Sequence, residues 1–370
     1  MAQDTMIEAA VTGGLDVSDR YTYVCVLNVS GGVVDEGRVP TTPEALRRRF
    51  SGHGPMRLVL ETGTHSPWIS RLLEACGHEV LVANARQLRL IAQSDSKNDR
   101  ADAETLARVG GLDPALLKPI RHRGAEAQLD LALIRARDAL VQARTQLVNH
   151  VRGAVKAVGG RLPACSTTSF PMKVGEAIPA GLRPALGPVL DVIAAVGKEL
   201  GRYERLVEDL ATTRYPETAA LRQVPGVGAL TALSYVLTLE DPARFAKSRA
   251  VGSYLGLRPK QRDSGAGAPQ LRITKTGDAY LRRLLVGSAH YVLGPFGPDS
   301  DLRRWGSALA ARGGKNAKKR AVVAVARKLA VLLHRLWVTG AVYEPLRVAE
   351  QRPAATPVLT ASIADVVGRL

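Results

Sequence analysis

The sequence predicts a mixed α/β amino-terminal domain, then two long heptad-patterned helices, then a mostly α-helical carboxy-terminal domain with a helix-hairpin-helix-like turn. Three observations carry this expectation. Short Val- and Tyr-rich runs alternate with helical spacing over about the first 120 residues. Apolar residues then step by four and three through two long stretches. The remaining third is helical, with Gly-rich punctuation.

Residues 11–38 read as three short strands broken by VSDR and SGG turns. A helix follows over residues 43–50, then a strand (MRLVLE) ending at Glu61. Residues 67–76 (PWISRLLEAC) have helical spacing, and HEVLVA is a further strand. The order βββαβαβα, with acids at element ends, is that of a ribonuclease-H-like layer, and residues 1–120 are assigned to it. The heptad region spans 121–215. Its first helix, over residues 125–158, carries Leu129, Leu133, Ala136, Leu140, Ala143 and Leu147. Its second carries Val189, Ile193, Val196, Leu200, Tyr203, Val207 and Leu210. Such a pair packs either within one chain or across two subunits, because three heptads fix neither partner nor oligomer. The third region, 216–345, opens on LRQVPGVGALTALSYVLT, a tight Gly-rich turn before an apolar helix. Such a turn either seats a core helix or brings backbone N–H groups close to phosphate. The tail, 346–370, has a Pro/Ala/Thr-rich start and no motif, and its composition fits a disordered segment.

Charge points to the partner. The chain has 51 Lys and Arg against 34 Asp and Glu, a formal net charge of +17. A polyanion balances such an excess, and nucleic acid suits it better than a membrane surface. The excess is concentrated: residues 302–343 hold ten Lys or Arg and no acid. Cys25, Cys76 and Cys165 are widely spaced, with no metal-ligand spacing, so a reducing cytoplasm is expected rather than a disulfide framework. No basic start followed by an apolar stretch opens the chain, and no apolar window of membrane-spanning length is expected. A GxxxxGK[ST] nucleotide loop is absent from the sequence.

Four acids stand out. Asp16 ends the run GGLD, Glu61 ends its strand, and Asp99 and Asp102 lie in KNDRADAETLA. On a helix, residues i and i+3 share a face, so Asp99 and Asp102 project together. Carboxylates gathered in this way repel one another unless a cation neutralises them. Hard oxygen ligands suit Mg²⁺ or Mn²⁺, and such ions can clamp the oxygens of a phosphodiester. Lys97 and Arg100 beside the pair either touch phosphate or balance charge. His65 and Trp68 are core or rim residues.

Farther on, GLRPKQRDSGAGAPQLRITKTGDAYLRRLL sets Ser264 in a Gly/Ala-rich loop edged by Arg258, Lys260, Arg262, Arg272 and Lys275. A serine hydroxyl needs a base, a metal or a cationic environment to become a nucleophile. Locally this loop supplies cations but no base, and an ordinary turn serine explains the residue equally. Tyr280, Arg282 and Arg283 fit one phosphate-binding helix face, and Lys315, Lys318, Lys319 and Arg320 fit a second.

The stretches GGLDVS, LETGTHSPW, KNDRADAETLAR, VPGVGALTA, SYLGLRPKQRDSGAG, ITKTGDAYLRRLL and KNAKKRAVVAVARKLA occur in an order that resembles the insertion-sequence-110 family of DEDD transposases, over roughly residues 11–340. These are also described as bridge-RNA-guided recombinases. The resemblance implies a RuvC-like domain whose metal-binding tetrad falls on Asp16, Glu61, Asp99 and Asp102. It also implies a carboxy-terminal domain whose catalytic serine falls on Ser264, with Ser253, Thr274 and Ser288 as nearby hydroxyls. It further implies Mg²⁺ or Mn²⁺, donor and target DNA, a structured guide RNA, and a dimer or tetramer working on the nucleoid of a prokaryotic cytoplasm. Two other functions fit the residues: a Holliday-junction-resolvase-like endonuclease using metal and water alone, and a noncatalytic nucleic-acid-binding protein whose acids balance charge.

Overall fold

The computed structural model describes residues 11–84, 98–261 and 271–346. By backbone contacts the chain divides into two units, Met1–Gly124 and Ala125–Leu370.

The first unit is built on a five-stranded sheet of order β3-β2-β1-β4-β5. Its strands are β1 (Thr12–Val17), β2 (Tyr21–Leu27), β3 (Val33–Pro40), β4 (Arg57–Glu61) and β5 (Glu79–Ala83). The first three pair antiparallel, whereas β1–β4 and β4–β5 are parallel. Side chains alternate across each strand, so the inner strands serve two cores. On one face Leu15, Val24, Leu58 and Leu60 pack with Leu46 and Phe50 of α1 (Pro43–Phe50) and Ile69 and Leu73 of α2 (Ser66–Ala75). On the other, Val59 and Ala83 meet Leu106 and Val109 of α3 (Asp99–Leu112), and Cys25 and Leu27 meet Ala103 and Ala107. Each fully buried aliphatic here contributes about 1.5–3 kcal/mol. Thr42 caps α1 by accepting from the Ala45 N–H at 3.3 Å, and Pro43 opens the helix.

Gly14 sets the distance between sheet and α3. A Cβ there would stand 1.9 Å from the Ala103 carbonyl oxygen and 2.6 Å from the Ala107 nitrogen. Gly14→Ala must therefore push the helix off the sheet. The expected loss is about 3 kcal/mol, at the upper end of overpacking costs. Urea unfolding checks it, and a cost under about 1 kcal/mol would show that the helix has room.

The second unit is helical in its described residues. Two long helices, α4 (Ala125–Ala157) and α6 (Arg183–Thr213), pair within the chain, with the short α5 (Phe170–Val174) between them. The expected seam is corrected at the start of α4. Leu129 is 72% exposed, whereas Ala127, Leu131 and Ile134 are buried. The cause is a third partner: these turns pack on Leu233 and Leu237 of α8 (Ala229–Leu239) and on Tyr280 as well as on Val207 and Ala211 of α6. On α6, Ile193, Leu200 and Val207 are buried at the expected seven-residue step. At the far end Val148, Val151 and Val155 join Phe170, Leu186 and Leu190. Among the described residues one stretch, Ala180–Thr213, is long and apolar enough to cross a membrane, contrary to the sequence expectation. Arg183 and Asp191 interrupt it, and Leu186, Leu190 and Ile193 pack against α4.

The rest of this unit comprises α7 (Thr218–Arg222), α8, α9 (Arg249–Tyr254), α10 (Ala279–Leu293), α11 (Asp301–Ala311) and α12 (Ala317–Thr339). Their main core joins Tyr235 and Val236 of α8 to Leu281 and Leu285 of α10 and Leu329 and Leu333 of α12. The Tyr235 hydroxyl donates to the Ala330 carbonyl at 2.6 Å, and burial pushes its pKa well up.

Candidate active site and nucleic-acid interface

The parallel register places Leu15 beside Leu60, so Asp16 and Glu61 follow one step later on neighbouring strands. Both point away from the Leu15/Leu60 face and thus toward the face covered by α3. That helix runs antiparallel to β1: Gly111 lies over Thr12, and Ala103 and Ala107 straddle Gly14. Four strand residues from Thr12 to Asp16 cover about 13 Å, which is about nine helical residues at 1.5 Å each. Counting back from Gly111 reaches Asp102. The first turn of α3, with Asp99 and Asp102, therefore lies at the sheet edge where Asp16 and Glu61 end. Asn98 caps this helix, accepting from the Arg100 N–H at 3.1 Å. The helix N-terminus favours carboxylates in its first turn, and Asp102 is 8% exposed.

The four acids share one edge, but among the described residues no three His, Cys, Asp or Glu side chains stand close enough together to hold a metal ion. The donor set nonetheless has the chemistry of a hard divalent cation site. The neighbours are committed elsewhere. Arg100 pairs with Glu36 of β3 at 2.9 Å, the charge-balancing option. His65 Nδ1 accepts from the Trp68 indole at 3.1 Å while Nε2 faces Asp19 at 3.1 Å. Lys97 lies outside the described residues.

In the second unit, Ser264 and Arg262 also lie outside the described residues, but the stem that carries them is defined. The Lys260 N–H donates to the Arg272 carbonyl and that of Thr274 to the Arg258 carbonyl, both at 2.9 Å, so Pro259 and Ile273 face each other. At the base, Gly256 (φ +68) and Gly277 (φ +71) interlock. A Cβ on the first would meet Thr276 O at 2.2 Å, and one on the second Tyr254 O at 2.1 Å. Neither conformation suits an L side chain. Of the other nearby hydroxyls, Ser288 is 5% exposed inside α10. Thr274 shares a 3.1 Å hydrogen bond with Thr276.

Arg282 of α10 braces the stem. One nitrogen donates to Leu255 O at 2.9 Å and Thr276 O at 2.8 Å, tying both arms together. Arg283 pairs with Asp138 of α4, and Tyr280 is buried beneath it. Removing the clamp in Arg282→Gln is expected to cost about 2 kcal/mol, the range for hydrogen bonds from charged donors. Urea unfolding checks this, and an unchanged midpoint would discount the clamp.

Arg258, Lys260, Arg272 and Lys275 are exposed along the stem, as are Lys315, Lys318, Lys319 and Arg320 around the start of α12. Between stem and α12 lies an open groove of about 1740 Å³. Its lining adds Arg312, Arg327, Arg335 and Trp305, which sequence reasoning missed as a set. Their sole signal was the ten-cation run, which gives no face. The VPGVG turn leads into α8 through Gly228, which has no side-chain cap and nothing within 4 Å of its Cβ position.

Comparison with known proteins agrees with this arrangement. Residues 13–159 match a family model for DEDD transposases of the IS110 type, described as "Transposase", and residues 218–300 match one described as "Transposase IS116/IS110/IS902 family". The chain is 31% identical over 250 residues to a Coxiella burnetii protein named as the transposase for insertion sequence element IS1111A, covering 65% of this chain and 66% of that one. It is 30% identical over 352 residues to a putative transposase, y4pF/y4sB, of Sinorhizobium fredii, covering 91% and 86%. A probable family 20 transposase of Pseudomonas aeruginosa is 28% identical over 300 residues, covering 79% and 86%. With both halves matched in order, the chain belongs to the IS110 family of transposases, enzymes that cut and rejoin DNA.

Proposed function

We propose that this transposase exchanges DNA strands under the direction of a structured guide RNA, with the acidic edge binding divalent metal and Ser264 acting as covalent nucleophile. What supports the reading most is the register of β1 and β4 with the antiparallel course of α3, which directs Asp16, Glu61, Asp99 and Asp102 toward one end of the sheet. The strand order, three antiparallel strands followed by two parallel ones, supports a ribonuclease-H-like, RuvC-like domain over residues 1–120. A heptad region over 121–215 and a serine-bearing domain over 216–345, ahead of the 346–370 tail, complete the plan.

Asp16, Glu61, Asp99 and Asp102 would hold Mg²⁺ or Mn²⁺, which when bound neutralises charge on the scissile phosphate. Ser264 Oγ loses its proton and bonds to phosphorus. The P–O bond to the leaving deoxyribose breaks, and the departing oxygen takes up a proton. The ester keeps the bond energy until a hydroxyl of the second DNA attacks phosphorus, expels Oγ and regenerates serine. Arg258, Lys260, Arg262, Arg272 and Lys275 border the loop and would hold DNA backbone, as Lys315, Lys318, Lys319 and Arg320 would on α12. Arg282, which also braces the stem, and Arg283, 57% exposed beside Asp138, would hold it on α10. The PGVG turn would act as a helix-hairpin-helix element, offering N–H groups to phosphate at the open start of α8.

Base pairing by the RNA would read donor and target, leaving the protein to hold backbones. Several strands need more than one subunit. Val192 and Leu206, 50% and 48% exposed on α6, offer apolar surface for a dimer or tetramer. The enzyme would act on the nucleoid in a prokaryotic cytoplasm. The test supplies the flanking noncoding RNA with donor and target plasmids and scores recombinant junctions. Junctions that need the RNA are expected, and equal yield without it would remove the guided mechanism.

A further inference from the structure

We propose that the groove between the serine-loop stem and α12 binds an unpaired DNA strand. The inference deepens the strand-exchange reading above and rests on it for the choice of DNA. Eight Lys or Arg line the groove against two carboxylates, Asp301 and Glu344. Arg272, Arg312, Lys319 and Arg335 are exposed and form no salt bridge with a carboxylate among the described residues. A polyanion complements such a rim.

The floor decides between duplex and single strand. Leu302, Trp305, Val323, Leu332 and Tyr343 line it half-buried, packed on the main core below but uncovered toward the groove. A duplex shows a cationic surface its phosphates and would leave this apolar strip wet. An unpaired strand sets phosphates on the rim and bases on the floor, where aromatic stacking is available. Lys328 Nζ lies over the Trp305 ring, 4.1 Å from its centroid, so cation and aromatic surface adjoin at the floor. Arg272 and Ile273 belong to both the groove wall and the return arm of the stem. A strand lying here therefore passes the return arm of the stem.

Fluorescence anisotropy of the full-length chain with a labelled oligonucleotide tests this, as single-stranded DNA, single-stranded RNA of the same sequence and duplex DNA. Arg312→Glu/Arg335→Glu alters only exposed rim positions and is expected to weaken single-stranded DNA binding at least about tenfold. Trp305→Ala is expected to weaken it about tenfold while leaving duplex binding unchanged. Thermal unfolding confirms that each variant folds. If Trp305→Ala does not, the rim variant with the three oligonucleotides still decides. Unaltered single-strand binding by the rim variant, or an equal loss for duplex, would overturn the proposal. So would tighter binding of the RNA than of the DNA. Single-strand binding that appears only after removal of residues 347–370 would make the groove the seat of the chain's own tail and overturn it as well. Because no bond is broken in this assay, its failure is distinct from failure of the serine reading, which a covalent adduct reports.

Discussion

Ser264→Ala is expected to abolish any denaturation-resistant protein–DNA adduct and to lower strand exchange on the order of 10⁴-fold or more, the scale on which nucleophile deletions act. That corresponds to about 5.5 kcal/mol of transition-state stabilisation at 1.4 kcal/mol per decade. DNA affinity should stay within about twofold, because the rim and stem cations are untouched and phosphate contacts dominate affinity. The split between lost chemistry and kept binding separates a nucleophile from a contact residue. Denaturing gels with end-labelled donor DNA read the adduct, and junction-specific amplification reads exchange. Undiminished exchange by the alanine variant would sink the serine mechanism and leave a metal–water nuclease. Of the nearby hydroxyls, Ser288 is enclosed in α10, Thr274 is hydrogen-bonded to Thr276, and Ser253 is half-buried.

The two halves of the chain differ in how much of them the sequence disclosed. In the first unit the period of two is strong. Leu15, Leu58 and Leu60 face one core, and Val59 and Ala83 face the other, so the alternating runs located all five strands. The end of β4 was legible for the same reason, since Glu61 is a polar residue closing an apolar strand. Gly14 was visible as a residue but not as the contact that lets α3 sit on β1, because a close approach involves a partner far along the chain. The heptads misled at Leu129. An a/d pattern says which residues can share a stripe, but α8 and Tyr280 claim the start of α4 from another side. Arg282 and Arg283 have partners the sequence did not show, because these are backbone carbonyls and Asp138 from distant segments. The groove escaped notice because its walls, residues 271–275, 301–312 and 316–345, meet only through tertiary packing.

Glu61→Gln, with Asp16→Asn beside it, is expected to reduce cleavage about 10³-fold while leaving the first unit as stable as before, within about 1 kcal/mol. The activity term follows from losing a hard oxygen ligand, since metal stabilisation of a phosphoryl transition state amounts to several kcal/mol. The stability term follows from burial and shape. Asp16 and Glu61 are half-buried at the ends of their strands rather than enclosed in a core, and each amide keeps the shape of the carboxylate it replaces. Sites shaped for catalysis commonly gain nothing in stability from their catalytic groups. A thermal scan adds a readout independent of turnover. Mg²⁺ at a hundredfold excess over its dissociation constant should stabilise the unmodified chain by about 2.7 kcal/mol through mass action, and the variants much less. If Glu61→Gln unfolds the unit, the carboxylate is structural. If the variant keeps the full magnesium shift, the ion binds elsewhere, and the edge where β1, β4 and α3 converge is not the metal site.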